Sequence, residues 1–136
     1  MPPSVVIVLG AVTYMSHWWK WGMMSYCFRR RGGRRAMQRN DPRVRAAFSQ
    51  KLLETFCREH TRKPLDLFFT YLMDGMVEPG VIDEIRKTGV PTCNFSCNNA
   101  HQFDLVDEIS THFDFNLHSE KDARTKFLEI GATPLW

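Results

Sequence analysis

The stretch Leu65-Asp-Leu-Phe-Phe-Thr-Tyr-Leu72 decides the fold, because it is apolar almost without interruption. A strand with one face in water alternates apolar and polar residues, whereas a strand covered by helices on both faces does not. The loop Met73–Met76 follows, then a predicted helix that opens at Glu78 and ends at Gly89. Val90–Phe95 is the next predicted strand. This span has the length of one βαβ unit, so we predict that its two strands are parallel neighbours.

The same alternation continues to the end of the sequence. It predicts a short helix over Phe103–Ile109, a strand over Phe113–Leu117 and a helix over Ser119–Ile130, which Ser119 and Asp122 would cap. A last strand would begin at Thr133. Predicted strands thus recur every 20 to 25 residues or so, as in alternating α/β folds. The predicted fold class is α/β, a doubly wound and mostly parallel sheet of the Rossmann or flavodoxin type.

A regular helix is predicted upstream of the first of these strands. Asn40 or Asp41 can cap it, and proline at position 42 suits the first turn, where its missing N–H costs nothing. Apolar residues then recur every fourth position, as expected of an amphipathic helix that runs to His60. They are Val44, Phe48, Leu52 and Phe56. We therefore divide the chain into a segment 1–39 and a partial Rossmann-like domain 40–136.

The first segment begins with the apolar run Val5–Leu9, continues through three tryptophans and ends in an arginine-rich stretch. As a membrane span it is too short, since about 20 apolar residues are needed and His17 and Lys20 interrupt it. A signal peptide would carry its charges before the apolar core. We favour a buried strand followed by an aromatic-rich loop, with membrane association through this segment as the alternative.

Charge is unevenly distributed along a chain whose net charge is only +3. Between Lys20 and Lys63 thirteen basic residues face three acidic ones, and from Pro64 onward five basic residues face twelve acidic ones. Such asymmetry is found in nucleic-acid-binding and membrane-binding arms. We favour a solvated basic helix beside an acidic domain, and we expect no nucleic-acid partner, because the tryptophans precede the arginines and do not alternate with them. Four scattered cysteines indicate reduced thiols and a cytoplasmic protein.

Three loops would lie along one edge of the predicted sheet, where doubly wound folds bind ligands. The candidate binding residues in them are Asp74, Gly75, Asn98, Asn99 and Ser119, which offer hydrogen-bond groups or a helix N-terminus. The candidate general bases are His101 and His118. Each of these residues also has an ordinary structural interpretation as a turn, loop or cap residue.

Several catalytic and cofactor motifs are excluded. Cys93, Cys97 and His101 have an inviting spacing, but two cysteines four residues apart in one strand lie about 13 Å apart, too far to share one zinc ion. No G-x-G-x-x-G follows a strand, and neither a Walker loop nor G-x-S-x-G is present. We therefore expect neither a metal nor a bound cofactor.

Two stretches resemble the N-terminal half of CgeB-type proteins, the spore-maturation family of glycosyltransferase-like enzymes. They are DLFFTYLMDGMVEPGVIDEIRKTGVPTCNFSCNNAHQF, residues 66–103, and HFDFNLHSEKDARTKFLEIGATPLW, residues 112–136. The resemblance implies a GT-B arrangement, in which two Rossmann-like domains enclose an active cleft and use a nucleotide-sugar donor. In that arrangement the C-terminal domain holds the donor, and the N-terminal domain supplies the acceptor side and the hinge.

The chain departs from this family pattern in three ways. Cys97-Asn98-Asn99 stands where the family commonly has Cys-Asp-Asp, so a role that needs an ionised carboxylate is not expected there. The opening strand and glycine-containing loop are not recognisable in residues 1–35. No donor-binding domain is present, so we expect an incomplete GT-B half that does not turn over substrate alone.

The resulting expectation is an acceptor-side domain of a glycosyltransferase-like protein, whose partners would be a nucleotide-sugar and an acceptor. The alternative from a different class is a non-catalytic α/β module for binding or assembly. A third is a flavodoxin-like receiver domain, for which Asp74 would be the phosphorylated residue, although the acidic pair that such domains carry near the N-terminus is missing.

Overall fold

The computed structural model describes residues 5–9, 24–27, 42–97 and 99–135, the first two ranges as backbone alone. The strands are β1 (Val5–Leu9), β2 (Met24–Cys27), β3 (Leu67–Tyr71), β4 (Thr92–Ser96), β5 (Phe115–His118) and β6 (Pro134–Leu135). The helices are α1 (Pro42–Arg62), α2 (Pro79–Lys87), α3 (Asn99–Gln102), α4 (Asp107–Ser110) and α5 (Ala123–Glu129), with a 3₁₀ turn at Phe103–Leu105.

The described strands form one sheet in the order β2-β1-β3-β4-β5-β6, and every neighbouring pair is parallel. The predicted α/β class and parallel pairing are therefore confirmed. This order is the flavodoxin-like one extended by a strand at the far edge. Four of the strands, β3 to β6, lie in the half of the chain whose sequence predicts alternating strands and helices.

Side chains alternate across the sheet and give it two different faces. Phe68 and Thr70 of β3 are buried on the face that meets the helices, with Asn94 and Asn116 beside them on the next strands. The opposite face is apolar and less deeply buried. Its members on β3, β4 and β5 include Leu67, Phe69, Tyr71, Phe95, Phe115 and Leu117.

The hydrophobic core lies between the helix-facing side of the sheet and the helices. Helix α1 contributes Phe48, Leu52 and Phe56, which follow the predicted spacing of four residues, and α2 contributes Ile82 and Ile85. Burial of such side chains stabilises the fold by about 1.5–3 kcal/mol each. Among the described residues, no helix is both long enough and apolar enough to cross a membrane.

Asn94 joins β4 to the end of β3 inside this core. Its Oδ1 accepts hydrogen bonds from the Thr70 hydroxyl at 2.6 Å and from the Leu72 N–H at 2.9 Å. Its Nδ2 donates to the Leu72 carbonyl at 3.0 Å. The Asn94 side chain is 1% exposed, so these three bonds satisfy groups that water does not reach. They hold Leu72 in place where the chain leaves the sheet.

β1 confirms the strand favoured for the apolar run Val5–Leu9, which could not be recognised from the sequence as the opening strand of the family pattern. β1 pairs with β3 over its whole length, from Val5 opposite Leu67 to Leu9 opposite Tyr71. A run of β-branched and aliphatic residues suits a central strand. β2 was not predicted, because Met24–Cys27 is short and sits within a longer apolar and aromatic stretch. Because β2 falls within the predicted aromatic-rich loop, the loop prediction is wrong at Met24–Cys27, and the rest of that stretch and the arginines at 29–35 lie outside the described residues.

Two helix boundaries differ from the predictions. The segment predicted as one helix over Phe103–Ile109 is instead the 3₁₀ turn followed by α4, and the short helix α3 precedes it. The helix predicted to begin at Ser119 begins at Ala123, and Asp122 makes no side-chain cap hydrogen bond, so the predicted S-x-x-D cap is wrong. The His118 ring forms a hydrogen bond with the carbonyl of Glu120, which holds the chain in a turn and delays the helix.

Candidate ligand site at the carboxyl edge of the sheet

The carboxyl edge is the edge of the sheet at which the parallel strands end. The strand order reverses between β1 and β3, which lie side by side with Leu9 opposite Tyr71. Connections that leave two neighbouring strands in opposite directions open a crevice, and doubly wound sheets bind ligands there. Residues 72–76 leave the sheet at this crevice, and the segments after β4 and β5 leave along the same edge. The predicted common edge is therefore confirmed.

Asp74 and Gly75 form a turn directly after β3. Gly75 has φ of 75°, a left-handed conformation that glycine adopts without strain. The carboxylate of Asp74 accepts hydrogen bonds from the backbone N–H of Ile109 at 2.8 Å and of Glu108 at 3.2 Å. These two N–H groups open α4, so Asp74 caps a helix far away in sequence. Its carboxylate is occupied by hydrogen bonds within the protein. The side chain predicted to accept hydrogen bonds from ligand hydroxyls therefore links the loop after β3 to α4.

Asn99 and Ser119 occupy different environments. The Asn99 side chain is buried, its Nδ2 donates to the Ser96 hydroxyl at 3.0 Å, and its carbonyl accepts from Lys126 Nζ at 3.2 Å. Asn99 thus ties α3 to α5 and turns its amide inward. Ser119 is exposed in the turn after β5, where it can meet a ligand but is not at a helix N-terminus. Asn98 lies outside the described residues.

The two candidate bases differ most in exposure. His101 is exposed on α3. His118 is 2% exposed and stacks on Phe127, with ring centroids 5.4 Å apart. Its Nδ1 lies 2.7 Å from the Glu120 carbonyl oxygen, and because a carbonyl only accepts, this nitrogen carries the hydrogen. His101 is therefore the one of the two that an external hydroxyl can approach in the structure as it stands.

Tyr71 and Cys97 form a pair at this edge that the sequence analysis missed. The Tyr71 hydroxyl lies 3.1 Å from Cys97 Sγ, and the Tyr71 ring lies 5.6 Å from that of Phe95. The hydrogen bond to Cys97, together with burial and the electrostatic influence of the Cys97 side chain, raises the pKa of Tyr71 to about 12. Tyr71 is thus a protonated hydroxyl at neutral pH. The alternation of side chains along two parallel strands places Tyr71 and Cys97 on the same face of the sheet. Their hydrogen bond, however, is evident only from the structure.

A small cavity of about 60 Å³ opens beside this pair. Its lining combines aromatic, thiol and hydroxyl groups from the ends of β3 and β4 with an amide from α3 and the residues just before α4. The residues are Tyr71, Leu72, Met73, Phe95, Ser96, Cys97, Gln102, Leu105 and Val106. The space admits a small group and not a whole sugar ring, so in this state it is a subsite at the edge of the crevice.

A larger groove, of about 500 Å³, lies at the opposite edge, where the strands begin. Its polar groups serve the fold: Asp114 accepts hydrogen bonds from Arg86 Nε at 3.0 Å and from the Thr92 N–H at 3.0 Å. The groove is open, and parallel sheets place their ligands at the other edge. We therefore assign the functional site to the carboxyl edge in spite of its smaller cavity.

Within the described part of the chain, no group of three His, Cys, Asp or Glu residues is arranged to hold a metal ion. Cys57, Cys93 and Cys97 are free thiols. No family model matches the chain, and comparisons with curated proteins and with solved structures found no match either. The geometry of the carboxyl edge is therefore the basis for a functional proposal.

Proposed function

We propose that this chain is the N-terminal, acceptor-side half of a glycosyltransferase-like protein of the GT-B type. The observation that supports the proposal is the all-parallel sheet whose order reverses between β1 and β3, with the candidate loops gathered at the adjoining carboxyl edge. A Rossmann-like half of this kind presents that edge to a second domain. The nucleotide-sugar would be held mainly by the second domain, and the acceptor would lie against this one.

In this proposal catalysis consists of positioning the acceptor hydroxyl and stabilising the departing nucleotide phosphate with dipoles and cations, without a metal ion. His101 is exposed on α3 and is the base that we assign to the acceptor hydroxyl. Ser119, also exposed, offers a hydroxyl to the same substrate. Asp74 and Asn99 shape the edge through their internal hydrogen bonds. The free thiols agree with a cytoplasmic location.

Isothermal titration calorimetry with UDP-glucose and GDP-mannose tests the assignment of this half. We expect no saturable binding by this chain alone at millimolar nucleotide-sugar, because the donor belongs to the other domain. Free UDP serves as the matched probe that lacks the sugar. Micromolar binding of either nucleotide-sugar would show that the acceptor half has been assigned to the wrong domain.

A non-catalytic assembly module is the second candidate. The apolar face of the sheet opposite the described helices favours it. Phe115 and Leu135 on this face are 38% and 40% exposed. Exposed apolar surface of this kind is found at interfaces. Light scattering coupled to size-exclusion chromatography distinguishes the two candidates: reversible self-association that a Phe115→Ser substitution abolishes would support the module, and a monomer at every concentration would count against it.

A further inference from the structure

The carboxyl-edge cavity beside Tyr71 and Cys97 has a neutral lining. Its apolar residues are Leu72, Met73, Phe95, Leu105 and Val106, and its polar residues are Tyr71, Ser96, Cys97 and Gln102. Among these described residues none carries a charge, so a phosphate or carboxylate that entered would lose water without gaining an opposite charge. The group that suits this cavity is therefore uncharged.

The cavity has an apolar floor and a polar rim. Leu72 and Val106 are 1% and 3% exposed and form the floor, whereas Gln102 is exposed at the rim. Tyr71 and Cys97 are intermediate in exposure. A group with an apolar end and a polar end therefore matches the order of the lining from the floor outward.

The polar groups of the lining can meet both an acceptor and a donor of a ligand. The Tyr71 oxygen lies 3.1 Å from Cys97 Sγ, and either atom can be the donor in that contact. When the thiol donates, the Tyr71 hydroxyl keeps its own hydrogen for an acceptor on the ligand. The Gln102 amide, on α3 at the same cavity, offers an acceptor for an N–H. The lining thus complements a group that contains one C=O and one N–H.

Hydrogen bonds hold the floor and one wall of the cavity in place. The N–H and the carbonyl of Leu72 both bond to the buried Asn94 side chain. The Leu105 carbonyl accepts from the Asp74 N–H at 2.8 Å. A binding site whose lining is already fixed loses less entropy when a ligand enters. The cavity is therefore suited to select a group by its shape.

The size of the cavity limits what this uncharged group can be. A water molecule needs about 10–15 Å³ of such space, so the 60 Å³ present here admit roughly four non-hydrogen atoms. An acetamido group is of this size, and it combines a methyl group, a C=O and an N–H without any charge. A hydroxymethyl group is smaller and has no apolar end to place on the floor.

We propose that this cavity binds the acetamido group of an N-acetylhexosamine. The methyl group lies on Leu72 and Val106. The carbonyl accepts from the Tyr71 hydroxyl, and the N–H donates to the Gln102 side chain. The sugar ring stays outside, next to α3, where the exposed His101 precedes Gln102. This inference rests on the proposed function, and it names the class of acceptor.

A titration of ¹⁵N-labelled protein with two matched glycosides tests the proposal. Methyl N-acetylglucosaminide carries the acetamido group, and methyl glucoside has a hydroxyl group at the same carbon. We expect the dissociation constant of the first to be lower by about fivefold or more, because it gains the hydrogen bond of the carbonyl and the burial of the methyl group. Its largest amide shifts should lie at residues 71–73, 102 and 105–106. Equal dissociation constants would overturn the inference.

The length of the acyl chain distinguishes an enclosed methyl group from one that lies on open surface. On an open apolar surface each added methylene tightens binding. In a cavity that is already filled, an added methylene forces the walls apart. We therefore expect the N-propanoyl and N-butanoyl glycosides to bind progressively more weakly than the N-acetyl glycoside. Equal or tighter binding of the longer chains would contradict the proposal.

Tyr71→Phe removes the proposed donor while keeping the ring beside Phe95. It should raise the dissociation constant of methyl N-acetylglucosaminide by about three- to tenfold and leave that of methyl glucoside unchanged. Asp104→Asn is the control, because Asp104 is exposed in the neighbouring 3₁₀ turn and does not line the cavity. No change in Tyr71→Phe, or the same change with both glycosides, would refute the proposal. The acyl series tests it even if this variant fails to fold.

Two further outcomes separate this inference from the proposed function. If both glycosides bind at the carboxyl edge with equal dissociation constants, the acetamido inference fails and the proposed function stands. If no glycoside binds there, both fail. Nε-acetyllysine amide carries the same group on an amino-acid side chain, and we expect it to bind more weakly than methyl N-acetylglucosaminide. Binding as tight or tighter would assign the cavity to acetylated protein and overturn the inference.

Discussion

Replacement of Asn94 by leucine is expected to lower the free energy of unfolding by about 4 kcal/mol. The leucine side chain fills a similar volume but removes both the acceptor and the donor. It therefore leaves the Leu72 N–H, the Leu72 carbonyl and the Thr70 hydroxyl without their partners inside the core. An unsatisfied buried polar group costs about 1–3 kcal/mol. Urea unfolding followed by circular dichroism measures the loss.

Asn116→Leu is the matched control for this experiment. Asn116 lies beside Asn94 on the next strand and is equally buried, but its Nδ2 makes one short bond, of 2.9 Å, to the Ser110 carbonyl. Its Oδ1 has no hydrogen-bond partner among the described residues. Its replacement should cost about 1–2 kcal/mol. Equal losses for the two variants would show that the three bonds of Asn94 do not hold β3 to β4 as described.

Truncation of Phe127 to alanine is expected to cost about 3–5 kcal/mol, the usual range for a fully buried phenylalanine. Phe127 is 0% exposed and contacts Phe103 edge-on, with ring centroids 5.0 Å apart, as well as stacking on His118. The cavity left behind lies between α5 and the end of β5, so the loss should include the packing of His118. Chemical denaturation with intrinsic fluorescence or circular dichroism gives the value.

Leu128→Ala provides the comparison within the same helix. Leu128 follows Phe127 directly but is 55% exposed, so its truncation should change the free energy of unfolding by less than about 0.5 kcal/mol. The two variants remove side chains of similar apolar character from adjacent positions that differ in burial. A similar cost for both would mean that α5 does not pack on the sheet through Phe127.

The sheet was predictable from the sequence because its signal is hydrophobic and local. The run Leu65–Leu72 and its successors could be recognised as parallel strands, although β3 is fully buried on one face and only partly on the other. The four-residue spacing of apolar side chains predicted which side of α1 faces the core. The segment 99–110 was not predictable in the same way. It combines three short helical turns whose ends are satisfied by partners distant in sequence, above all by Asp74. Helix propensity depends on the local sequence and therefore does not indicate caps that come from distant residues.

The candidate site was predictable as an edge but not as a set of contacts. Parallel strands place their carboxyl ends together, so Asp74, Asn99 and Ser119 could be assigned to one edge before any coordinates. Which side chains point inward depends on packing. His118 and Asn99 turn into the protein, and the pair of Tyr71 and Cys97 depends on register between β3 and β4.

The most direct test of the proposed function is to map where sugars bind by amide chemical shifts in ¹⁵N-labelled protein. The probes are the methyl glycosides of glucose, galactose and N-acetylglucosamine, titrated to tens of millimolar, with glycerol as the control for weak polyol contacts. We predict that at least one of these glycosides causes saturable changes in the amide chemical shifts of residues 72–76, 99–102 and 118–120. Glycerol should cause none. Saturable shifts confined to the opposite edge, at Arg86, Gly89 and Gly131, or no saturable shift with any of the glycosides, would contradict the proposal.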